Sequence, residues 1–193
     1  MRAGRPTGAL LAAACLAGCT PVSLAVGAGA SAGVAIAEER TVGEVVEDAR
    51  IVAEINRAWL SADLDLIQRL NTAVHQGRVL VTGTVADADQ MLVALRLVWQ
   101  VDGVQEVINE ITIADGGGLA GFARDSWIAA QLRTRMTLDS SIDAINYTVE
   151  VANGVVYLLG LGRDDDEVER VKAHARQIDY VRGIVSHVRV AAD

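Results

Sequence analysis

Apolar positions along this chain change their period several times, and the whole series of changes occurs twice. From Glu44 to Leu60, the residues Ile51, Ile55 and Trp59 recur every fourth position, a single stripe that predicts an amphipathic helix. From about Ile67 to His75 the period shortens: Leu70, Thr72 and Val74 alternate with Asn71, Ala73 and His75, as in a half-buried strand. Gln76-Gly77 turns the chain, and Val79 and Val81 carry the hairpin partner to Gly83. Helical spacing returns from Asp87 to about Gln100, with Met91, Ala94, Leu95, Val98 and Val101 facing inward. After the Asp102-Gly103 turn, Val107 to Ile113 reads as a third strand.

The same order follows 77 positions later, without a gap from Asp48/Asp125 to Ile113/Val190. Ile128, Leu132 and Met136 take the places of Ile51, Ile55 and Trp59 in a helix spanning Gly121 to Thr137. Ile145, Tyr147, Val149 and Val151 alternate as a strand, Asn153-Gly154 turns into Val155 to Leu161, and Ile184 to Val190 closes the unit. Between them Asp164-Asp165-Asp166-Glu167 opens a helix with Val168, Val171, Ala175 and Ile178 inward, acidic residues suiting a positive helix N-terminus. The predicted fold class is α+β: two tandem α-β-β-α-β units, each a small three-stranded sheet covered by two helices. Gly77 and Gly154 supply the turns. Gly83 and Gly160 are expected to end a hairpin strand where a helix begins, with positive φ or close helix packing as the reason for glycine.

Composition adds an address. Arg2 and Arg5 precede the short apolar run Leu10 to Cys15, and Leu16-Ala17-Gly18-Cys19 reads as the cleavage and acylation signal of a bacterial lipoprotein. Cys19 would then be the lipidated N-terminus, and multiple acyl chains on it would anchor the protein stably. Thr20, rather than Asp, follows the cysteine and favours sorting to the outer membrane. Thr20 to Ala37 is uncharged and rich in small residues, a tether rather than a spanning helix. The expected boundaries are 1–18 signal peptide, 19–43 lipidated N-terminus and tether, 44–114 first domain, 115–120 linker and 121–193 second domain. With Cys15 removed and Cys19 acylated, no disulfide supports the fold.

Charge narrows the partners. Loss of Arg2 and Arg5 leaves 15 basic residues against 25 acidic, a charge of −10, which weighs against nucleic acid. Any anionic partner must then meet a local basic face. The helix of the second unit offers one, with Arg124, Arg133 and Arg135 against Asp125. Trp127 stands one residue before Ile128 and so points about 100° away from the core stripe. Its counterpart in the first unit is Arg50, a surface residue type. An outward indole suits a membrane interface, and Arg124 and Arg133 are forks suited to lipid phosphates. Trp59 reads as core, and Trp99 as either an inter-domain or a partner contact. His75, His174 and His187 lack metal-ligand spacing, Asp164 to Glu167 read as helix-terminal carboxylates rather than a metal site, and Gly116-Gly117-Gly118 lacks the lysine of a phosphate loop. No nucleophile–base set supports an enzyme, and no cofactor is implied.

Three stretches carry a family resemblance: Gln76-Gly77-Arg78-Val79-Leu80-Val81-Thr82-Gly83, Val101-Asp102-Gly103-Val104-Gln105-Glu106-Val107-Ile108-Asn109, and Asn153-Gly154-Val155-Val156-Tyr157-Leu158-Leu159-Gly160. Behind a lipoprotein signal, this tandem pattern resembles the BON-domain family, over Arg40 to Val190. Asp179-Tyr180-Val181-Arg182-Gly183 departs from the family's Gly-Val order. The resemblance implies binding rather than catalysis: an outer-membrane lipoprotein on the periplasmic face. Such a protein contacts anionic phospholipid, chiefly phosphatidylglycerol, through the first helix of the second domain. Roles in envelope integrity, stress response and cell division are implied with it. The candidate lipid-binding residues are Trp127, Arg124, Ile128 and Arg133. The alternative is a periplasmic scaffold that docks envelope proteins without lipid specificity.

Overall fold

The computed structural model describes residues 41–114 and 119–191, the side chains of residues 119 and 120 excepted; the expected signal peptide, Cys19, the tether as far as Arg40 and linker residues 115–118 lie outside them, whereas residues 41–43, expected in the tether, and 119–120, expected in the linker, open helices instead. Helix α1, Val42–Ala62, begins at a reciprocal cap, where Glu44 N donates to Thr41 Oγ1 and Thr41 N to Glu44 Oε2. Its stripe of Ile51, Ile55 and Trp59 is fully buried, and the Trp59 indole N–H donates to the Ala94 carbonyl at 3.2 Å. A short helix α2, Leu64–Arg69, follows, capped by Asp63 and fastened by buried Leu66. Strand period was expected from Ile67. The Asp63 cap and the inward Leu66 instead keep the chain helical to Arg69, and β1 is Leu70–His75.

Strand β2, Arg78–Val85, pairs antiparallel with β1, crosses through helix α3, Ala88–Trp99, and pairs in parallel with β3, Glu106–Ile113. The sheet order is β1-β2-β3. The second unit repeats this. Helix α4, Leu119–Leu138, leads through a single 3-10 turn, Ala144–Asn146, to β4, Tyr147–Ala152. Strand β5, Val155–Gly162, helix α5, Asp165–Arg176, and β6, Gly183–Val190, complete the order β4-β5-β6. The fold class is the α+β arrangement read from the pattern, two three-stranded sheets each covered by helices on one face.

The sheets' other faces meet each other. Ala73, Leu80 and Ile108 pack on Tyr157 and Leu159, so the layers run helices, sheet, sheet, helices. Polar contacts rim this inner layer. Arg78 donates to the His187 carbonyl at 3.0 Å, Arg189 pairs with Glu106 at 2.7 Å, and His187 Nε2 lies 2.8 Å from Glu110 Oε1. Glu110 and His187 are equivalent positions of the two units, as are Leu80 and Tyr157. The halves therefore meet about a pseudo-twofold axis, as identical subunits do in an isologous dimer.

Gly83 and Gly160 do not end their strands; β2 runs on to Val85 and β5 to Gly162. Both have positive φ, 121° and 141°, and the crowding comes from the helical residue that leads into the paired strand, the last of α2 in the first unit and the last of the 3-10 turn in the second. A Cβ at Gly160 would lie 2.1 Å from the Asn146 carbonyl oxygen, and one at Gly83 the same distance from that of Arg69. Only a residue without Cβ lets the first strand start so close to its partner.

Candidate functional site

Helix α4 is positioned by both of its flanks. Toward the sheet, Ile128, Leu132 and Met136 are buried among Val149, Val156 and Val171. At its N-terminal half, Asp125 accepts two backbone bonds from the β4–β5 turn, Asn153 N at 2.7 Å and Gly154 N at 2.8 Å. Gly154 in turn accepts from Arg182 N at 2.8 Å through its carbonyl, so the segment before β6 is drawn to the same end of the helix.

This brings a second aromatic residue to Trp127. The Trp127 and Tyr180 rings lie edge to face, centroids 6.1 Å apart at 71°. The Arg124 guanidinium carbon sits 5.1 Å from the Tyr180 ring centroid, a cation–π contact. Trp127 is 43% exposed and Tyr180 63%, so the cluster opens outward. Tyr180 was not among the candidate residues read from the sequence. The signal was available: Tyr180 stands 77 positions after Gly103, a turn glycine.

The structure brings Arg124 to Trp127 and leaves the other two candidates elsewhere. Ile128 is 0% exposed, enclosed by the core of its own domain, and cannot touch a membrane; its expected place in the contact is corrected. Arg133 lies six residues on from Trp127, about 120° around the helix. Its guanidinium donates to the Val149 carbonyl on the free edge of β4 rather than joining the Trp127 face. Arg135 reaches inward to the His174 carbonyl at 3.4 Å. Trp59 is core, and Trp99 is 55% exposed on α3.

The opposite flank of α4 borders a cleft of about 550 Å³ between the domains, lined by Arg69, Asn71, Asp125, Arg133 and Glu150 among others. Loss of hydration there raises the Glu150 carboxyl above its usual range, an effect that nearby Arg133 partly offsets. The acidic run at α5 serves the fold. Asp164 caps the helix through Glu167 N at 2.7 Å, and buried Glu167 accepts from Arg163 N at 2.7 Å and from Asp143 N. Among the described residues no group of three or more His, Cys, Asp or Glu is placed to hold a metal, and no helix is long and apolar enough to cross a membrane.

Comparison with known proteins gives a consistent picture. The model of the BON domain matches residues 47–115 and 124–192. Over 146 residues the chain is 35% identical to an uncharacterized protein in the gshII 5′ region of Anaplasma centrale, covering 75% of this chain and 95% of that one. Over 146 residues it is 33% identical to the outer membrane lipoprotein DolP of Haemophilus influenzae, covering 75% of each. The osmotically-inducible protein Y of Escherichia coli is 23% identical over 150 residues, 77% of this chain and 75% of that protein. None of these matches indicates a catalytic family.

Proposed function

This chain belongs to the BON-domain family as a tandem pair, and on that premise we propose that it is a non-enzymatic lipoprotein of the bacterial envelope whose second domain binds anionic phospholipid. In this reading Cys19 carries the anchor in the outer membrane, the tether reaches into the periplasm, and α4 returns its Trp127 face to the headgroups. Similarity to a protein named as an outer membrane lipoprotein supports the compartment.

The observation that carries the lipid contact is the exposed Trp127 ring with Arg124 beside it on a strongly acidic molecule. An indole suits the boundary between headgroup and acyl chain, with an apolar body and one N–H donor. A guanidinium can meet a phosphodiester with two parallel hydrogen bonds. Anchoring raises the effective concentration of lipid at this face, so a weak contact suffices. A role in envelope integrity would follow, in this reading, from a sandwich held at the membrane.

Residues 41–193 contain every described element and supply the test without the anchor. Sedimentation with phosphatidylglycerol vesicles is expected to exceed that with phosphatidylcholine vesicles, and Trp127→Glu to weaken it about tenfold or more, through lost burial and like-charge repulsion. Equal sedimentation of Trp127→Glu and the unaltered chain would remove the assignment.

A second reading rests on a different observation. Leu92, Val93 and Trp99 are exposed on α3, in the helical layer on the far side of the two sheets from α4. With α4 on the membrane, that stripe faces away from it and suits an envelope protein. Crosslinking from position 99 in cells, compared with position 127, separates the protein-docking role from the lipid one.

A further inference from the structure

The cluster around Trp127 has an internal control. Arg124, Trp127 and Tyr180 correspond, 77 positions earlier, to Glu47, Arg50 and Gly103. In the first domain these positions close on themselves. Arg50 lies 2.6 Å from Glu47 and 2.6 Å from Glu54, and donates to the Asp102 carbonyl at 2.6 Å, directly over Gly103. In the second domain Arg124 replaces Glu47, Trp127 replaces Arg50 and Gln131 replaces Glu54. The three helix positions pass from a net charge of −1 to +1. The cation now lies over an aromatic ring instead of against a carboxylate, and the surface is apolar where the other was a satisfied ion pair.

The backbone carries the more telling difference. Gly103 has φ of 88° and Tyr180 of 69°, so both turns use the left-handed region at the same place. Glycine adopts it freely, whereas a bulky side chain there is strained. The turn does not require tyrosine, since its twin is built with glycine. The core does not require it either, because the ring is mostly exposed. Strain kept at an exposed residue that seals no core points to a role at the surface.

Resting on the lipid reading of α4, we infer that Tyr180 is a second anchor of the same membrane contact, kept in a strained turn because its ring holds the Arg124 guanidinium toward a lipid phosphate and stands beside Trp127 at the headgroup level. Tyrosine is amphipathic in the way that position needs, an apolar ring with a hydroxyl at its tip. The ring under Arg124 restricts a flexible cation before lipid arrives, which lowers the ordering cost of binding. The ligand is the anionic phospholipid surface itself, recognised by one guanidinium and two interfacial rings.

The test uses residues 41–193 with phosphatidylglycerol vesicles. Tyr180→Gly is expected to bind about threefold to tenfold more weakly, from loss of one aromatic and one cation–π partner, while its thermal midpoint stays level or rises. Tyr180→Asn, which also tolerates left-handed backbone, is expected to do the same, and Tyr180→Phe to bind like the unaltered chain. Unchanged binding of both Tyr180→Gly and Tyr180→Asn overturns the inference. If Trp127→Glu weakens binding and those two do not, only the role of Tyr180 fails. If Trp127→Glu also binds normally, the lipid reading of α4 fails with it.

Discussion

Asp48 and Asp125, 77 positions apart, are structural twins, and each carboxylate grips the hairpin turn of its own domain. Asp48 accepts from Gln76 N at 2.8 Å and Gly77 N at 2.9 Å, and Asp125 from Asn153 N at 2.7 Å and Gly154 N at 2.8 Å. Each first helix is thereby tied to the tip of the sheet it covers. Hydrogen bonds to a charged acceptor are stronger than neutral ones, and Asp48 is buried, so its loss strands two amides. Asp48→Ala is expected to cost about 2–4 kcal/mol in urea unfolding. Asp48→Asn keeps one acceptor oxygen and should fall between. Asp125 is less buried, and its alanine variant should lose less than that of Asp48.

Gly160→Ala tests the close approach of the chain entering β4 to β5. The added methyl would meet the Asn146 carbonyl oxygen at 2.1 Å, and that atom is backbone that cannot swing aside. A loss of more than about 3 kcal/mol is expected, from overpacking together with positive φ. Gly121→Ala is the control. It sits in α4 with nothing within 4 Å of the new Cβ, and should be neutral or stabilising by up to about 1 kcal/mol. Equal effects of the two in thermal unfolding would refute the crowding argument.

How far these features could be read beforehand depends on the range of the interaction behind each. The helical stripe of Ile51, Ile55 and Trp59 and the alternation of Tyr147, Val149 and Val151 are local, and burial follows the pattern closely. Asp48 and Asp125 were visible only as an identical pair at constant offset. Their role depends on turns 28 and 29 residues away, which no local period reports. The meeting of the two sheets had a trace in Val79-Leu80-Val81 and Tyr157-Leu158-Leu159, unbroken apolar runs of the kind that strands buried on both faces show. Tyr180 was hidden by its departure from the Gly-Val order, although the 77-residue offset places it on Gly103 directly.

The inner layer between the sheets is small, with Ala73, Leu80, Ile108, Tyr157 and Leu159 as its buried apolar members. Leu80→Asp places a charge there with no partner, at a cost of several kcal/mol if the layer stays closed. Separation of the domains relieves that cost, because each keeps its own core on the opposite sheet face. The expected outcome is a larger radius of gyration in solution scattering with the helical circular dichroism retained. Loss of the helical signal would instead mean that units of this size, near the lower limit for an independent core, stand only together.

Glu150 makes the inter-domain cleft sensitive to pH. Burial raises its carboxyl above the usual 4.5, so the folded chain holds that proton more tightly than the unfolded one. The folded state therefore binds the excess proton, and this residue's effect on stability worsens as pH rises from about the ordinary carboxylate value through the folded one. Ionisation of Glu150 places a charge in a poorly hydrated site, only partly compensated by Arg133. Glu150→Gln is expected to be more stable than the unaltered chain at pH 7, with the difference closing as pH falls well below 4.5, where the carboxyl is protonated in both states. Urea unfolding of both proteins across that range measures it. A difference that stays constant with pH would trace the effect to packing of the amide and not to the charge.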